Sequence, residues 1–180
     1  LNPAVRTIIE IGGQDSKLII LEGESSDAHA CADAEMTVRH FSMNELCAAG
    51  TGAFLDQQAS RLNLSIEAFA ALAAQASDPA PIAGRCAVFA KTDMTHHQQS
   101  GRPLSDIVAG LNEALARSYL SNLVRGRELP RPIAFQGGVA SNEGLRAAFR
   151  RLAISAPVVA ASTVFCGSAG LAGSCGNSTV

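Results

Sequence analysis

The chain has 180 residues, of which 47% are hydrophobic and 17% are charged, so it is long and apolar enough for one folded globular domain. Its net charge of -2, with no run of lysine or arginine, argues against a nucleic-acid-binding surface, and no apolar stretch is long enough to span a membrane. Five cysteines without a C-x-x-C spacing or an export signal favour a reducing, cytoplasmic location.

The chain begins with two short β-branched runs, which predict strands at residues 7–11 and 18–21 joined into a hairpin. The turn between them reads Gly12-Gly13-Gln14-Asp15-Ser16-Lys17. Its glycines let the backbone wrap a phosphate, while Asp15 could hold Mg²⁺ and Lys17 could neutralise phosphate charge. The alternative is an ordinary hairpin turn whose polar residues face solvent.

A loop of small residues follows a third strand, which is predicted at residues 34–41. Cys47 precedes Ala48-Ala49-Gly50-Thr51-Gly52, and the apolar periodicity that begins at Phe54 predicts a helix directly after the loop. Unpaired amide donors at the start of that helix would favour an anion, whether phosphate or a thiolate-ligated metal cluster. The same position lowers the pKa of a cysteine thiol, which suits a metal ligand or a nucleophile. The alternative is a plain turn in which Cys47 is a small buried apolar residue.

The middle of the chain predicts a helix at residues 66–75, a proline-containing linker and a short strand at residues 85–90. The polar run that follows contains His96 and His97. Neighbouring residues on a helix do not share a face, so these two are predicted as surface or hydrogen-bonding residues rather than as a metal-binding pair.

The last third of the chain alternates helices and strands. They are predicted at residues 104–124 (helix), 132–136 (strand), 143–152 (helix) and 154–160 (strand). Gly137-Gly138 forms the turn after the strand at 132–136, and Asn142 is a candidate cap of the next helix, which is a shape that accommodates a nucleotide. The element order predicts an α/β domain with a mixed sheet, and its three glycine loops lie at strand ends, which converge on a ligand crevice in such sheets.

Four sequence motifs occur in a fixed order. They are Ile11-Gly12-Gly13-Gln14-Asp15-Ser16-Lys17, Met43-Asn44-x-x-Cys47-Ala48-Ala49-Gly50-Thr51-Gly52-x-Phe54-Leu55, Arg85-Cys86-Ala87-Val88-Phe89-Ala90 and Gly137-Gly138-Val139-Ala140-x-Asn142. With them the chain resembles, over about residues 7–152, the BadF/BadG/BcrA/BcrD ATPase family. Its members are ATP-dependent activators of 2-hydroxyacyl-CoA dehydratases and the matching subunits of benzoyl-CoA reductases.

The resemblance implies a ribonuclease H-like half-domain of the actin/hexokinase/acetate kinase (ASKHA) type, a mixed sheet with helices on both faces. Residues 1–180 would form a single domain, the second half of the ATPase domain, cut from a longer protein. The first phosphate motif of the family is absent, because the chain begins after the point where it would stand. The fragment is therefore expected to be inactive alone and to expose the apolar surface that the missing half would cover.

The resemblance also implies a site, residue by residue. Glu10 and Asp15 take the catalytic positions, and Cys47 and Cys86 match the two cysteines with which each subunit ligates a shared [4Fe–4S] cluster across a two-fold axis. The positions implied for cofactor binding are Gly12, Gly13, Gln14, Lys17, Gly50, Thr51, Gly52, Gly137, Gly138 and Asn142. The implied cofactors are ATP or ADP, Mg²⁺ and the [4Fe–4S] cluster.

The function implied is ATP hydrolysis coupled to transfer of a single electron from the cluster, through a shift of the helices that point at it. The implied partners are a second copy of the chain, an enzyme of the 2-hydroxyacyl-CoA dehydratase or benzoyl-CoA reductase type, and the remainder of its own longer chain. Glu10 stands where activators usually carry Asp, which leaves open a nucleotide-binding regulatory or assembly module without cluster or catalysis. A sugar or acyl kinase of the same superfamily is disfavoured, since Cys47 and Cys86 have no place in its mechanism.

Overall fold

A five-stranded mixed sheet forms the centre of the fold. The computed structural model describes residues 4–23, 36–44, 48–84, 86–152 and 159–160. The strands are β1 (Thr7–Ile11), β2 (Ser16–Glu22), β3 (Thr37–Asn44), β4 (Ile133–Gln136) and β5 (Val159–Ala160). Their order in the sheet is β3-β2-β1-β4-β5. The first three strands pair antiparallel, whereas β4 is parallel to β1 and β5 is parallel to β4.

Period-two alternation in the strands decides which face of the sheet is inside. Ile9, Leu18 and Phe135 lie on one face and are almost completely buried in the main hydrophobic core. Ile8 and Ala134 lie on the other face and belong to a separate, smaller cluster. The main core therefore lies against one face of β1, β2 and β4.

Five helices contribute side chains to this main core. They are α1 (Gly52–Arg61), α2 (Ile66–Ala73), α3 (Ala87–Gln99), α4 (Leu104–Tyr119) and α5 (Glu143–Leu152), with a 3₁₀ turn at Ala48–Gly50 before α1. Helices therefore cover this face of the sheet. That helices also cover the opposite face stays a prediction.

The helix α4 is the longest element of the described chain, and 12 of its 16 residues are buried. A π-helical turn (Leu120–Val124) extends it, and Arg125 (φ 52°) and Gly126 (φ 74°) then end it in the left-handed region. The predicted helix at residues 104–124 is therefore confirmed in extent. A glycine at such a C-terminal position ends a helix at little steric cost, which is why Gly126 was a usable sequence signal.

The prediction of a strand at residues 85–90 is wrong. Cys86 is extended (φ −147°, ψ 130°), but α3 begins at the next residue, and Arg85 lies outside the described residues. Within α3 the buried residues are Ala90 and Met94, one helical turn apart. A short apolar run does not distinguish strand from helix, and here packing of that single stripe against the core decided for the helix.

The remaining elements agree with the predictions except at their boundaries. β3 begins at Thr37 and continues to Asn44 rather than ending at residue 41, and α2 ends at Ala73 rather than at residue 75. In the last predicted strand, residues 154–158 lie outside the described part, and Val159–Ala160 pair with β4 as expected.

Among the described residues, the large apolar side chains with more than half of their surface exposed lie at two places. On β3 these are Val38 and Phe41, which are 61% and 53% exposed, and at the start of α3 they are Val88 and Phe89. Exposed apolar surface was expected from the resemblance, which places a further half of the ATPase domain beside this one. Within the described ranges, no helix combines the length and apolar character needed to cross a membrane.

Candidate functional site

Three glycine-containing loops meet at one end of the sheet. β1 and β4 are parallel and side by side, with Glu10 aligned with Gln136, so the turns that follow them emerge at the same edge. The first turn carries Gly12 and Gly13, and the second carries Gly137 and Gly138. The carboxyl ends of adjacent parallel strands are where α/β sheets bind ligands, so the convergence predicted from the sequence is confirmed by the structure.

The third loop joins the first through backbone hydrogen bonds. The N–H of Gly52 donates to the carbonyl of Gly12, and the N–H of Ala53 donates to the carbonyl of Gly13, both at 2.8 Å. A Cβ at Gly52 would lie 2.9 Å from Cγ1 of Val139 and 3.0 Å from the Gly12 oxygen. All three loops therefore meet at Gly52, where only a hydrogen atom fits.

This junction corrects the expectation that α1 begins with amide donors free to bind an anion. The first two donors of α1 are already used by the glycine turn, and Gly50, Thr51 and Gly52 are buried. Open positions near the junction belong instead to Gly13 and Gln14, and to Gly137 and Gly138 after β4. The exposed glycine turns, not the α1 loop, form the surface that a ligand can reach.

Gly137 is held in a conformation that only glycine adopts readily. Its φ is 100°, and a Cβ there would overlap the carbonyl oxygen of Ile11 on the neighbouring strand. The absence of a side chain lets the chain leave β4 directly beside the end of β1. The turns that follow β1 and β4 are thus set close together by this one residue.

A charged group lies beside the glycine turns. The ammonium of Lys17 is 3.1 Å from Oε1 of Glu10 and 2.9 Å from Oδ2 of Asp15. The second oxygen of Glu10 accepts a hydrogen bond from the amide of Gln136 at 2.9 Å. The two residues predicted as catalytic, Glu10 and Asp15, are therefore joined through Lys17.

The two carboxylates also set the charge state of Lys17. Hydrogen bonds from its ammonium to Asp15, and after it to Glu10, raise the pKa of the Lys17 amine above its usual value. Lys17 thus carries a full positive charge at neutral pH, near the start of β2 and just after the turn that contains the exposed Gly13. The site offers a cation and open backbone amides in one place, which is a suitable environment for phosphate.

The side chain of Asn142 forms hydrogen bonds within the protein. Its Oδ1 accepts the N–H of Leu145, which caps α5 as predicted, and its amide donates to Oδ1 of Asn112. The side chain is buried, with 6% of it exposed. Both polar groups of Asn142 are thus engaged within the protein and set the position of α5 behind the Gly137-Gly138 turn.

Two residues of this region were missed by the sequence reasoning. Gln136, the last residue of β4, anchors Glu10, and a polar residue at the end of a buried strand was the available signal. Tyr119, the only tyrosine of the chain, is buried in α4 and donates its hydroxyl to the carbonyl of Lys17 at 2.8 Å. Burial, together with the nearby charge of Glu10, raises the pKa of the Tyr119 phenol, so the hydroxyl stays a donor. No sequence pattern placed this residue under Lys17.

The carboxylates that could serve Mg²⁺ are already paired with a cation. Mg²⁺ in nucleotide sites is usually held by one or two protein carboxylates together with phosphate oxygens. Glu10 and Asp15 have the right chemistry, but Lys17 lies between them. In the described part of the chain, no group of three or more His, Cys, Asp or Glu side chains is placed to hold a metal ion. The carboxyl pair therefore does not fit Mg²⁺ in this arrangement.

Of the two cysteines implied as cluster ligands, the structure describes one. Cys86 is a free, half-buried thiol at the N-cap position of α3. Cysteine sulfur is the usual ligand of iron–sulfur clusters, so the chemistry of this residue fits. Cys47 lies outside the described residues, between β3 and the 3₁₀ turn, as do Cys31, Cys166 and Cys175.

The two histidines of α3 lie in the last turn of that helix. His96 is exposed, and a ring nitrogen of His97 is 3.2 Å from the carbonyl of Pro81. This arrangement agrees with their prediction as surface and hydrogen-bonding residues.

Comparison with known proteins identifies the group to which this arrangement belongs. The sequence profile of the BadF/BadG/BcrA/BcrD ATPase family matches residues 1–172. The chain belongs to this family. Its resemblance to the family, inferred from four motifs, is therefore confirmed.

Relatives of known activity lie in the same family. The activator of lactoyl-CoA dehydratase from Anaerotignum propionicum is 36% identical over 145 residues, which cover 81% of this chain and 51% of that protein. The solved activator of the 2-hydroxyisocaproyl-CoA dehydratase from Clostridium difficile, with bound ADPNP, has a TM-score of 0.69 at 34% identity and covers 83% of this chain and 51% of its own. Component A of the Acidaminococcus fermentans (R)-2-hydroxyglutaryl-CoA dehydratase has a TM-score of 0.70 at 34% identity, over 83% of this chain and 53% of its own.

These similarities confirm the fold class, a mixed sheet with helices of the actin/hexokinase-like type that the activator ATPases share. The chain spans about half the length of the relatives that it matches.

Proposed function

We propose that this family member forms the second half of the ATPase domain of an activator and binds ATP or ADP at the crevice between the Gly12-Gly13 and Gly137-Gly138 turns. In this proposal hydrolysis drives one electron from a [4Fe–4S] cluster to an enzyme of the 2-hydroxyacyl-CoA dehydratase or benzoyl-CoA reductase type. The 180 residues form one domain that needs the other half of the ATPase for activity. The protein works in the cytoplasm, where its cysteines stay reduced.

The observation that carries the nucleotide part of this proposal is the meeting of the glycine turns beside Lys17. Exposed Gly13 and Gly138 leave backbone amides open to a ligand, and the Lys17 ammonium adds a positive charge 2.9 Å from Asp15. A solved relative with the same fold holds the ATP analogue ADPNP. Phosphate is the group that open amides and one cation together favour.

The electron-transfer part is supported by the position of Cys86. Its thiol lies at the start of α3, and the neighbouring Val88 and Phe89 are 68% and 64% exposed. With Cys47 it would supply two thiolates, and a second copy of the chain would supply the other two of a four-thiolate set. A [4Fe–4S] cluster held there would supply one-electron redox chemistry at the surface of the dimer.

The experiment that tests the nucleotide site is the substitution Gly13→Asp with ADP binding measured by calorimetry. A Cβ at Gly13 meets no atom within 4 Å, so the variant should keep the fold. Its added carboxylate would repel the phosphates at close range, and we expect ADP affinity to fall at least about tenfold.

Gln99→Glu is the matched control for Gly13→Asp. It adds the same negative charge at an exposed position near the end of α3 and should leave ADP affinity unchanged. Equal ADP affinity in Gly13→Asp and the unsubstituted protein would place the nucleotide elsewhere and contradict the proposal.

A second function has support from one observation. Both oxygens of Glu10 are bonded within the protein, to Lys17 and to Gln136. A base that is engaged in this way is poorly placed to activate water, which favours a nucleotide-binding regulatory or assembly module without catalysis. The presence or absence of an iron–sulfur cluster in the purified protein distinguishes the two functions.

A further inference from the structure

Lys17 lies where a divalent cation would otherwise balance two carboxylates. Its ammonium nitrogen is within 3.1 Å of Glu10 and 2.9 Å of Asp15. The three groups together carry a charge of −1, so the carboxyl pair is largely compensated without any metal. An ammonium and Mg²⁺ cannot both lie in direct contact with the same carboxylate oxygens, because they would repel each other at that distance.

The backbone and the side chain of Lys17 differ in how firmly they are held. The backbone lies within β2, and its carbonyl also accepts the hydroxyl of buried Tyr119. The side chain is a flexible four-carbon stem, 27% exposed, and its ion pair with Asp15 is open to solvent. Partly exposed ion pairs of this kind are weak enough to exchange for a better partner. The ammonium can therefore leave the carboxylates while the strand stays in place.

We propose that the Lys17 ammonium acts as a built-in counter-ion that keeps Mg²⁺ out of the Glu10–Asp15 pair until the phosphates of a nucleotide draw Lys17 away. The site without nucleotide then binds no free metal. This inference rests on the proposed function for the identity of the anion. The exclusion of metal from the empty site depends on Lys17, Glu10 and Asp15 alone.

The first test measures Mn²⁺ binding without nucleotide, by the loss of the free-ion signal in electron paramagnetic resonance. Lys17→Met removes the ammonium and leaves both carboxylates uncompensated, so we expect Mn²⁺ affinity to rise at least about tenfold. Lys91→Met is the control, since it removes the same charge from an exposed position on α3, and should bind Mn²⁺ as weakly as the unsubstituted protein. Glu10→Gln added to Lys17→Met should abolish the gain.

Either of two results would overturn the exclusion of metal. One is Mn²⁺ bound equally well by the unsubstituted protein and by Lys17→Met, and the other is no Mn²⁺ bound by Lys17→Met. If Lys17→Met does not fold, Lys17→Gln removes the charge but keeps a hydrogen-bond donor toward the carboxylates. The same gain is expected of Lys17→Gln.

The second test follows Lys17 itself. The sequence contains two lysines, Lys17 and Lys91, so a protein labelled with ¹³C at lysine Cε gives two side-chain signals, which Lys91→Met assigns. Millimolar Mg²⁺ alone should leave the Lys17 signal unchanged, whereas Mg²⁺ with ADP should shift it. A shift with Mg²⁺ alone, or ADP binding without a shift, would contradict the proposal. Failure to bind ADP at all would overturn the nucleotide trigger and the proposed function, while the Mn²⁺ measurement still decides whether Lys17 excludes metal.

Discussion

Asn142 illustrates how a residue in a ligand-binding motif can act through structure. Its carbonyl oxygen caps α5 through Leu145, and its amide bonds to Asn112 of α4, both at 3.1 Å. The resemblance implies that Asn142 also binds a cofactor, and this stays a prediction. The geometry shows Asn142 as a positioning residue, which caps α5 and joins it to α4.

At the scale of this residue, Asn142→Ala should destabilise the fold. It removes a helix cap and leaves the buried Asn112 with one partner fewer, so we expect a loss of about 1–2 kcal/mol in the free energy of unfolding. Urea denaturation measures this loss. Ser141→Ala, at the exposed neighbouring position, should change stability by less than about 0.5 kcal/mol. A variant with full stability that has lost ADP binding would show that Asn142 contacts the nucleotide instead.

At the scale of secondary-structure elements, the turn between β1 and β2 is linked to the start of α1. Two hydrogen bonds join the turn carbonyls of Gly12 and Gly13 to the first amides of α1. α1 begins shortly after Cys47 in the sequence. The turn and the start of α1 are therefore joined through the backbone, without any intervening side chain.

The substitution Gly52→Ala tests this link. Its Cβ would lie 2.9 Å from Val139 and 3.0 Å from the Gly12 oxygen, so overpacking should destabilise the fold by about 1–3 kcal/mol. Hydrogen exchange should become faster at the amides of Gly52 and Ala53, and remain unchanged in the middle of α4.

Gly13→Ala is the matched control for Gly52→Ala. It adds the same methyl group at a position where no atom lies within 4 Å, and should leave stability and exchange close to their original values. Equal exchange rates at Gly52 in both variants would show that α1 is held by its side-chain packing and not by the glycine turn.

At the scale of the whole molecule, Cys86 and the glycine turns adjoin elements that share one core. Ala90 of α3, Phe54 of α1 and Leu18 of β2 belong to the same hydrophobic cluster. The chain also covers about half of each relative that it matches. Under our proposal, the complete activity would require a second half of the ATPase, and the cluster would require a second copy of the chain.

Anaerobic reconstitution with iron and sulfide tests the molecular proposal. If two chains share one [4Fe–4S] cluster, the protein should become brown and contain about two irons per chain. Cys86→Ala and Cys47→Ala should each abolish the colour, because a shared cluster would lose two of its four ligands. Iron analysis and the visible absorption spectrum provide the measurement.

Cys31→Ala is the control for reconstitution and should keep the colour, since this residue has no assigned role. A protein that stays colourless but binds ADP would favour the regulatory module over the electron carrier. Four irons per chain in a monomer would contradict the shared cluster.

The extent to which the fold was predictable depended on local signals. β1 and β2 were indicated by β-branched runs around a glycine turn, and the end of the long helix by Gly126. The strand predicted at residues 85–90 failed because a short apolar run fits either structure, and the burial of Ala90 and Met94 in the core decided for α3. Local sequence determines an element where it fixes backbone conformation, and packing determines it elsewhere.

The sequence by itself determined the family, the fold class and the three glycine loops, because glycine turns, helix caps and motif order are properties of neighbouring residues. Only the tertiary structure decided how the loops contact one another. It directed the first amides of α1 onto the hairpin turn, placed Tyr119 beneath Lys17, and set Lys17 between Glu10 and Asp15. These contacts join residues distant in the chain or on opposite sides of a turn, and they depend on distances that the order of residues does not specify.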